Sequence, residues 1–479
     1  LALVLQDLKA KQFAGIPEES LEQEKAIKAD LAYYDTQHQK ELLKKEAGSS
    51  QKITTYENKL FALHNQYQEL INTFEKKYPR YYDLKYRKQT ISFENLKKLL
   101  DDQTVLIEYF TGENILTIFT LTKNKLDVYQ TEIDSSFDQM AGSLIRSIKK
   151  VNFKNFNDTS VQLYKRLIAP VQHQLNGKKK IIIIPHGILA KVPFEALMPG
   201  LPDPSNQTEL TQMNYLIRSY NISYHYSATL YAKQLKNKKD RSVLSLFAGF
   251  APVFSDNADN NVVLAERSVF TDLDYSESDY RAIHVDGKRF KELIYSEKEI
   301  QDIVLRFRTK NKTATGYYKK DASENNFKKT AGNYQYIHIA SHGIINEAYP
   351  QLSGIIFSQS GNSTNSDDGI LYSGEIYNLN LNADLVVLSS CESGIGKLVK
   401  GEGLMALTRG FLYAGANNLI VSLWKVSDKH TSELMIALYK NILKGNHFSS
   451  SLREAKLTLL NNPKTAFPKS WASFVLIGE

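Results

Sequence analysis

Two short clusters carry the side chains best suited to chemistry. Ser341, His342 and Gly343 follow the apolar run Tyr336 to Ala340, and Cys391, Glu392, Ser393 and Gly394 follow the run Leu385 to Leu388 and two serines. An imidazole serves as general acid or base near neutral pH and a thiolate is a strong nucleophile, so the two together could run acyl transfer. A glycine in each cluster lets the backbone come close to a substrate. Cys391 is the only cysteine of the 479 residues, which excludes an internal disulfide. It leaves a buried core thiol, an incidental surface thiol or a nucleophile. His338 lies inside the apolar run and reads as a structural histidine satisfied within its strand.

Other groups invite chemistry less well. His186 and Gly187 also end an apolar run, but no second cysteine exists to accompany them, so His186 reads as structural. The spaced glycines of Gly401 to Gly410 lack the lysine and hydroxyl of a phosphate-binding loop, so no nucleotide is expected. No His and Cys cluster has metal-ligand spacing; neither metal nor cofactor is expected. Ser341, Ser389 and Ser390 are alternative nucleophiles, without the G-x-S-x-G elbow that would expose them. Glu392 and Glu402 are carboxylates near the cysteine whose default reading is a solvated loop acid.

These groups need a scaffold, and the composition allows a large one. The chain is 42% hydrophobic and 11% aromatic, enough for two to four units at about 100 to 200 residues each. Its net charge of +8 is spread among interleaved lysines and glutamates, so no nucleic-acid partner is expected. No apolar run reaches the length of a bilayer span, so no membrane segment is expected and a cytoplasmic location is the working assumption. The chain opens on Leu1, not Met, and is read as a candidate fragment of a longer protein.

The apolar pattern divides the chain in three. Over residues 1–98, Leu21, Ile27, Leu31, Tyr34 and Leu42, then Tyr56, Leu60, Leu63, Tyr67, Leu70 and Phe74, recur at helical spacing on either side of Ala47 to Ser50. They predict a long antiparallel helical hairpin, as at the end of a helical-repeat array. Over 99–240, three short β-type runs with turns at Gly112 and Lys123 to Lys125 predict a meander. Ile181 to Ile184 then predict a strand buried on both faces, the mark of a parallel sheet covered by helices. A linker is placed at Lys236 to Arg241. Over 241–479, strands and helices alternate, and Ser296 with Glu299 suggests a capping box. The fold class is α/β: a doubly wound, mostly parallel sheet flanked by helices. Reactive groups in such sheets collect beyond the carboxyl ends of the strands, where both clusters lie.

The segments IASHG, LSSCESGIG, GEGLMALTRGFLYAGANNLIVSLWKVSD and WASFVLIGE, in this order, resemble the CHAT family, caspase-like peptidases attached to tetratricopeptide (TPR) repeats and related to separase. The caspase pentapeptide Q-A-C-x-G is absent. His342 precedes Cys391 by 49 positions, near the interval of about 50 found in caspases. The resemblance covers roughly Leu100 to the C-terminus. It implies a caspase-like fold in which 99–240 is an inactive half and 241–479 the catalytic half. It implies a cysteine endopeptidase acting on protein or peptide substrates, with Cys391 as nucleophile, His342 as acid/base partner and the backbone N–H groups of Gly343 and Cys391 holding the oxyanion.

By the same resemblance Asp428 would receive a basic P1 side chain, with Trp424 as a wall of the pocket. The competing reading is that Ser427 or Asp428 caps the helix that follows and that Trp424 anchors its strand. Regulation by a partner or an upstream helical-repeat domain is implied too. The alternative is a catalytically silent scaffold that keeps the fold and binds partners. Loops at Gln359 to Gly369 and Phe254 to Asn261 are candidate accessible sites.

Overall fold

The computed structural model describes residues 17–43, 49–78, 90–200, 210–236, 245–252, 282–285, 288–291, 293–344, 353–358, 368–389, 406–424 and 427–479. Strands β1 (Thr104–Thr111), β2 (Ile115–Leu121) and β3 (Leu126–Glu132) form the expected antiparallel meander. They are followed by β4 (Lys180–Ile184), β5 (Asn221–Tyr224) and β6 (Ser245–Ala251). A separate hairpin pairs β7 (Ala282–Val285) with β8 (Lys288–Lys291). Next come β9 (Ala314–Tyr318) and β10 (Tyr334–Ile339). A small antiparallel sheet then joins β11 (Gly343–Ile344), β12 (Gly354–Ile356) and β13 (Ile370–Tyr372). The last strands are β14 (Leu385–Leu388), β15 (Asn418–Ser422) and β16 (Phe474–Ile477).

Eleven of these make one sheet, in the order β3-β2-β1-β4-β5-β16-β15-β14-β10-β6-β9. Two parallel blocks make up nine of its strands, and β2 and β3 extend the first as an antiparallel edge. β1, β4, β5 and β16 run one way; β15, β14, β10, β6 and β9 run the other. The blocks meet where β16 pairs antiparallel with β15, Leu419 opposite Ile477. This is the mostly parallel, helix-flanked α/β architecture expected from the sequence. The isoleucine strand is buried on both faces: Ile181 and Ile183 enter one apolar cluster, and Ile182 and Ile184 another. Each such side chain removed from water contributes about 1.5–3 kcal/mol.

Helices seal the sheet with periodic apolar faces. In Ser136–Lys149, Phe137, Ala141, Leu144 and Ile148 are buried; in Ser296–Arg308, Ile300, Ile303, Val304 and Phe307 are. The latter helix rides close to the sheet because Gly249 of β6 has no side chain. A Cβ there would lie 2.5 Å from Ile300. The suggested capping box on this helix does not form. Its N-cap is Tyr295, the Ser296 hydroxyl donates to the carbonyl of Leu293, and Glu299 turns into the core.

Helices Glu18–Leu43 and Ser50–Lys77 form a hairpin. Leu63, Leu70 and Phe74 of the second bury against Ile27 of the first. Tyr34 lies by Tyr56, and Tyr67 by Glu24, so the two run antiparallel. The Ser49 hydroxyl caps the second helix by accepting the Lys52 N–H. Polar contacts dock the first helix on the α/β body. Lys28 reaches the Tyr413 hydroxyl at 3.2 Å; Lys40 pairs with Asp368 at 3.2 Å and sits 4.4 Å from the Tyr372 ring centre. Leu21 of the expected seam has no described side chain, and the proposed linker and accessible loops fall mostly outside the described residues.

Candidate active site

The two strands that lead to the clusters are neighbours. β10 and β14 pair in parallel with Ile339 opposite Leu388, and the Ser389 N–H continues the ladder to the Ile339 carbonyl at 3.0 Å. His342 stands three positions beyond Ile339, as Cys391 stands three beyond Leu388. Cys391, Ser390, Glu392 and Glu402 lie outside the described residues.

His342 is nearly buried and is held by backbone bonds on one side. Its carbonyl accepts the Ile356 N–H at 2.9 Å, and the neighbouring Ser341 hydroxyl donates to the Ile356 carbonyl. Gly343 opens β11 and pairs with Ile355. The histidine is thus pinned between the end of β10 and the small sheet. His342 and Gly343, adjacent in the sequence, therefore sit at the carboxyl edge of the second parallel block.

His338 is a satisfied core residue, and it belongs to a network. Its ring is fully buried, with Nε2 2.7 Å from Glu299 Oε1 and 3.0 Å from Ser389 Oγ, and Nδ1 3.2 Å from the Tyr439 hydroxyl. The Ser389 hydroxyl donates to the same Glu299 oxygen at 2.9 Å. A carboxylate only accepts, so the ring nitrogen facing Glu299, Nε2, carries a hydrogen. Sequence reasoning missed Glu299. A signal was available, because Glu299 falls on the stripe of Ile300, Ile303 and Phe307, where a charge needs a buried partner.

Asp428 does not cap the helix it begins. Ser427 is the N-cap of Asp428–Ile442 and makes no side-chain capping bond. The Asp428 carboxylate instead accepts the N–H of Tyr295 at 2.7 Å, just ahead of the helix Ser296–Arg308. Burial pushes the carboxyl up to about 6; the Tyr295 N–H holds it back, and the Glu299 charge adds to the rise. Trp424 is fully buried, and its indole N–H donates to the carbonyl of Lys469 at 3.3 Å. Among the described residues, no group of three or more His, Cys, Asp or Glu could hold a metal ion, and no helix is long and apolar enough to cross a membrane.

Comparison with known proteins places this geometry in a family. A model of the CHAT domain matches residues 157–479. Over 110 residues the chain is 38% identical to tetratricopeptide repeat protein 28 of Mus musculus and 37% identical to that of Homo sapiens. Each match covers 23% of this chain, which spans only 4% of the relative's length. Among solved structures, a separase–securin complex of Saccharomyces cerevisiae aligns at a TM-score of 0.36 and 11% identity, covering 96% of this chain and 27% of that one. The Arg-specific cysteine proteinase gingipain R aligns at 0.39 and 8%, covering 72% and 74%. The strand order and the family match carry the fold assignment.

Proposed function

The chain belongs to the CHAT domain family, and we propose that it is a cysteine endopeptidase in which Cys391 is the nucleophile and His342 its acid/base partner. The observation that carries this reading is the parallel pairing of β10 with β14, Ile339 opposite Leu388, which sends the histidine and cysteine segments off adjacent strand ends at equal distances along the chain. In an α/β sheet that edge is where reacting groups gather.

The chemistry follows from the groups themselves. The Cys391 thiolate attacks the scissile carbonyl carbon; a C–S bond forms and the carbonyl electrons move to oxygen. Backbone N–H groups of Gly343 and Cys391 hold that oxyanion, worth about 3 kcal/mol each when preoriented. His342 takes the thiol proton or protonates the departing amine, and the C–N bond breaks. Water then cleaves the thioacyl enzyme and returns the thiolate.

Asp428 selects a basic P1 residue in this reading. A guanidinium pairs with a carboxylate through two parallel hydrogen bonds, and Asp428 is half-buried with a carboxyl whose ionisation falls in the physiological range. Trp424 backs the pocket from the core. Input from a helical-repeat segment or partner arrives through the hairpin, whose first helix touches Tyr372 on the small sheet that begins at Gly343 and Asp368 just ahead of that sheet's last strand.

Peptide libraries varied at P1, incubated with the full chain, test the proposal. Cleavage is expected after Arg or Lys, abolished by Cys391→Ala and by His342→Ala. Cleavage that survives the cysteine substitution overturns it, and a basic preference that survives Asp428→Ala removes Asp428 from recognition.

A further inference from the structure

The buried network under the strand ends has more to do than fill the core. Glu299, His338, Ser389 and Tyr439 come from four different elements: the helix Ser296–Arg308, β10, the end of β14 and the helix Asp428–Ile442. All are buried, and each side chain bonds at least one other within 3.2 Å. A cluster that served stability alone would gain little from this chemistry, since an apolar replacement of a buried ionic group is often as stable or more so. Its polar bonds fix direction and separation, which apolar contacts do not.

Its placement gives that direction a target. His338 sits four residues before His342 on β10, and Ser389 two residues before Cys391 after β14. The bonds from His338 and Glu299 to Ser389 therefore tie together the two chains that leave the sheet toward the dyad. Gly249 lies opposite His338 in the neighbouring β6, and its missing side chain brings the helix close enough for Glu299 to reach the ring. Glu299 lies in the same helical turn whose entrance is bonded by Asp428.

We infer that Glu299, His338 and Ser389 are positioning residues that fix the pitch and spacing of the segments bearing His342 and Cys391. The inference rests on the peptidase reading for its purpose, but its geometry can be tested apart from turnover. The chain has a single cysteine, so alkylation by iodoacetamide, followed by mass, reports on Cys391 alone.

The rate is measured against pH for the folded full chain and its variants. If His342 partners the thiol, His342→Ala shifts the pH midpoint of alkylation or abolishes the rate difference from the urea-unfolded chain; identical profiles would remove the dyad. Independently, Ser389→Ala and Glu299→Gln should each change the alkylation rate about tenfold, in the range usual for residues that orient a reactive group. Ser389→Thr, which keeps the hydroxyl, should restore a rate within about twofold of the wild type. Phe156→Leu, a core substitution on the helix Phe153–Leu167, away from the network, should lower melting temperature without changing the rate. Should Ser389→Ala and Glu299→Gln both alkylate as the wild type does, or Phe156→Leu move the rate as much as they do, the positioning role is wrong whatever becomes of the dyad.

Discussion

Each parallel block of the sheet sends a histidine and a glycine off the end of a buried strand: His186 and Gly187 after β4, His342 and Gly343 after β10. Their surroundings differ. The His186 ring nitrogen Nδ1 accepts the Thr111 N–H at 3.2 Å and the ring lies 4.9 Å from that of Phe110, so it finishes the edge of β1. The next strand in that block, β5, is followed by His225, whose complete burial pushes its imidazole down to about 3 and keeps it neutral. His342 instead has β14 beside it, and β14 leads to the chain's only cysteine. A strand end becomes a site through what the adjacent parallel strand delivers. Position alone does not suffice.

The blocks also differ in how they use a buried glutamate. In the first, Glu195 pairs with Lys456 at 2.7 Å and accepts the Tyr224 hydroxyl at 2.6 Å, a closed clamp between β5 and the helix Phe448–Leu460. Burial pulls the Lys456 ammonium down, opposed by the Glu195 charge. In the second, Glu299 holds His338 and Ser389 on the segments that lead to His342 and Cys391.

Substitution can break or sharpen the contrast. The largest effect belongs to Cys391→Ala and His342→Ala, each expected to lower kcat/KM roughly a thousandfold or more in a peptide-cleavage assay. Next is Lys456→Ala, which strands Glu195 in the core and should cost about 3–5 kcal/mol in urea denaturation. If the clamp is purely structural, kcat at a temperature where the variant remains folded stays within about twofold of the wild type. A smaller effect is the pH response of Asp428.

Burial pushes the carboxyl up to about 6, so the ionised form that the proposed P1 pairing requires grows as pH rises through that value. Between pH 5 and 7 kcat/KM for Arg substrates should rise about tenfold through this group, and Asp428→Asn should remove the rise. Its folded-state ionisation lies above the unfolded value of 3.8, so the folded chain binds the extra proton and stability from this group is lost as pH climbs from about 4 through 6. Asp428→Asn should therefore raise the melting temperature at pH 7. The smallest effect is His186→Ala: about 1 kcal/mol of stability from the lost hydrogen bond, with cleavage unchanged. A large loss of activity there would erase the distinction between the two strand ends.

Much of this was legible in local pattern. The alternation of strands and helices, the doubly buried isoleucines and the strands that lead toward His342 and Cys391 are properties of short segments, and they lie where the sequence places them. Pairing across long distances was not legible. Nothing local tells that the WASFVLI segment runs between β5 and β15, or that the two α/β stretches share one sheet. Asp428 illustrates the same limit at the site. Its position before a helix suggests a cap, but its bonding partner, Tyr295, lies in another element and can be found only from the fold. Glu299 was misread for the same reason, since its spacing to Ser296 fits a capping box while burial on the other side of the helix decides its role.

The position of β16 bears on how the molecule comes into being. This strand alone joins the two parallel blocks, by Ile477 to Tyr224 on one side and to Leu419 on the other, and it follows both of them in the chain. During synthesis, β5 and β15 must wait with open edges until β16, which lies later in the chain than either, has been made. Such edges invite pairing with other chains, and contacts this distant in sequence close slowly. The sheet is thus zipped shut by a strand made after its other strands, and a chain stalled before β16 would carry the segments that lead to His342 and Cys391 on an unfinished sheet.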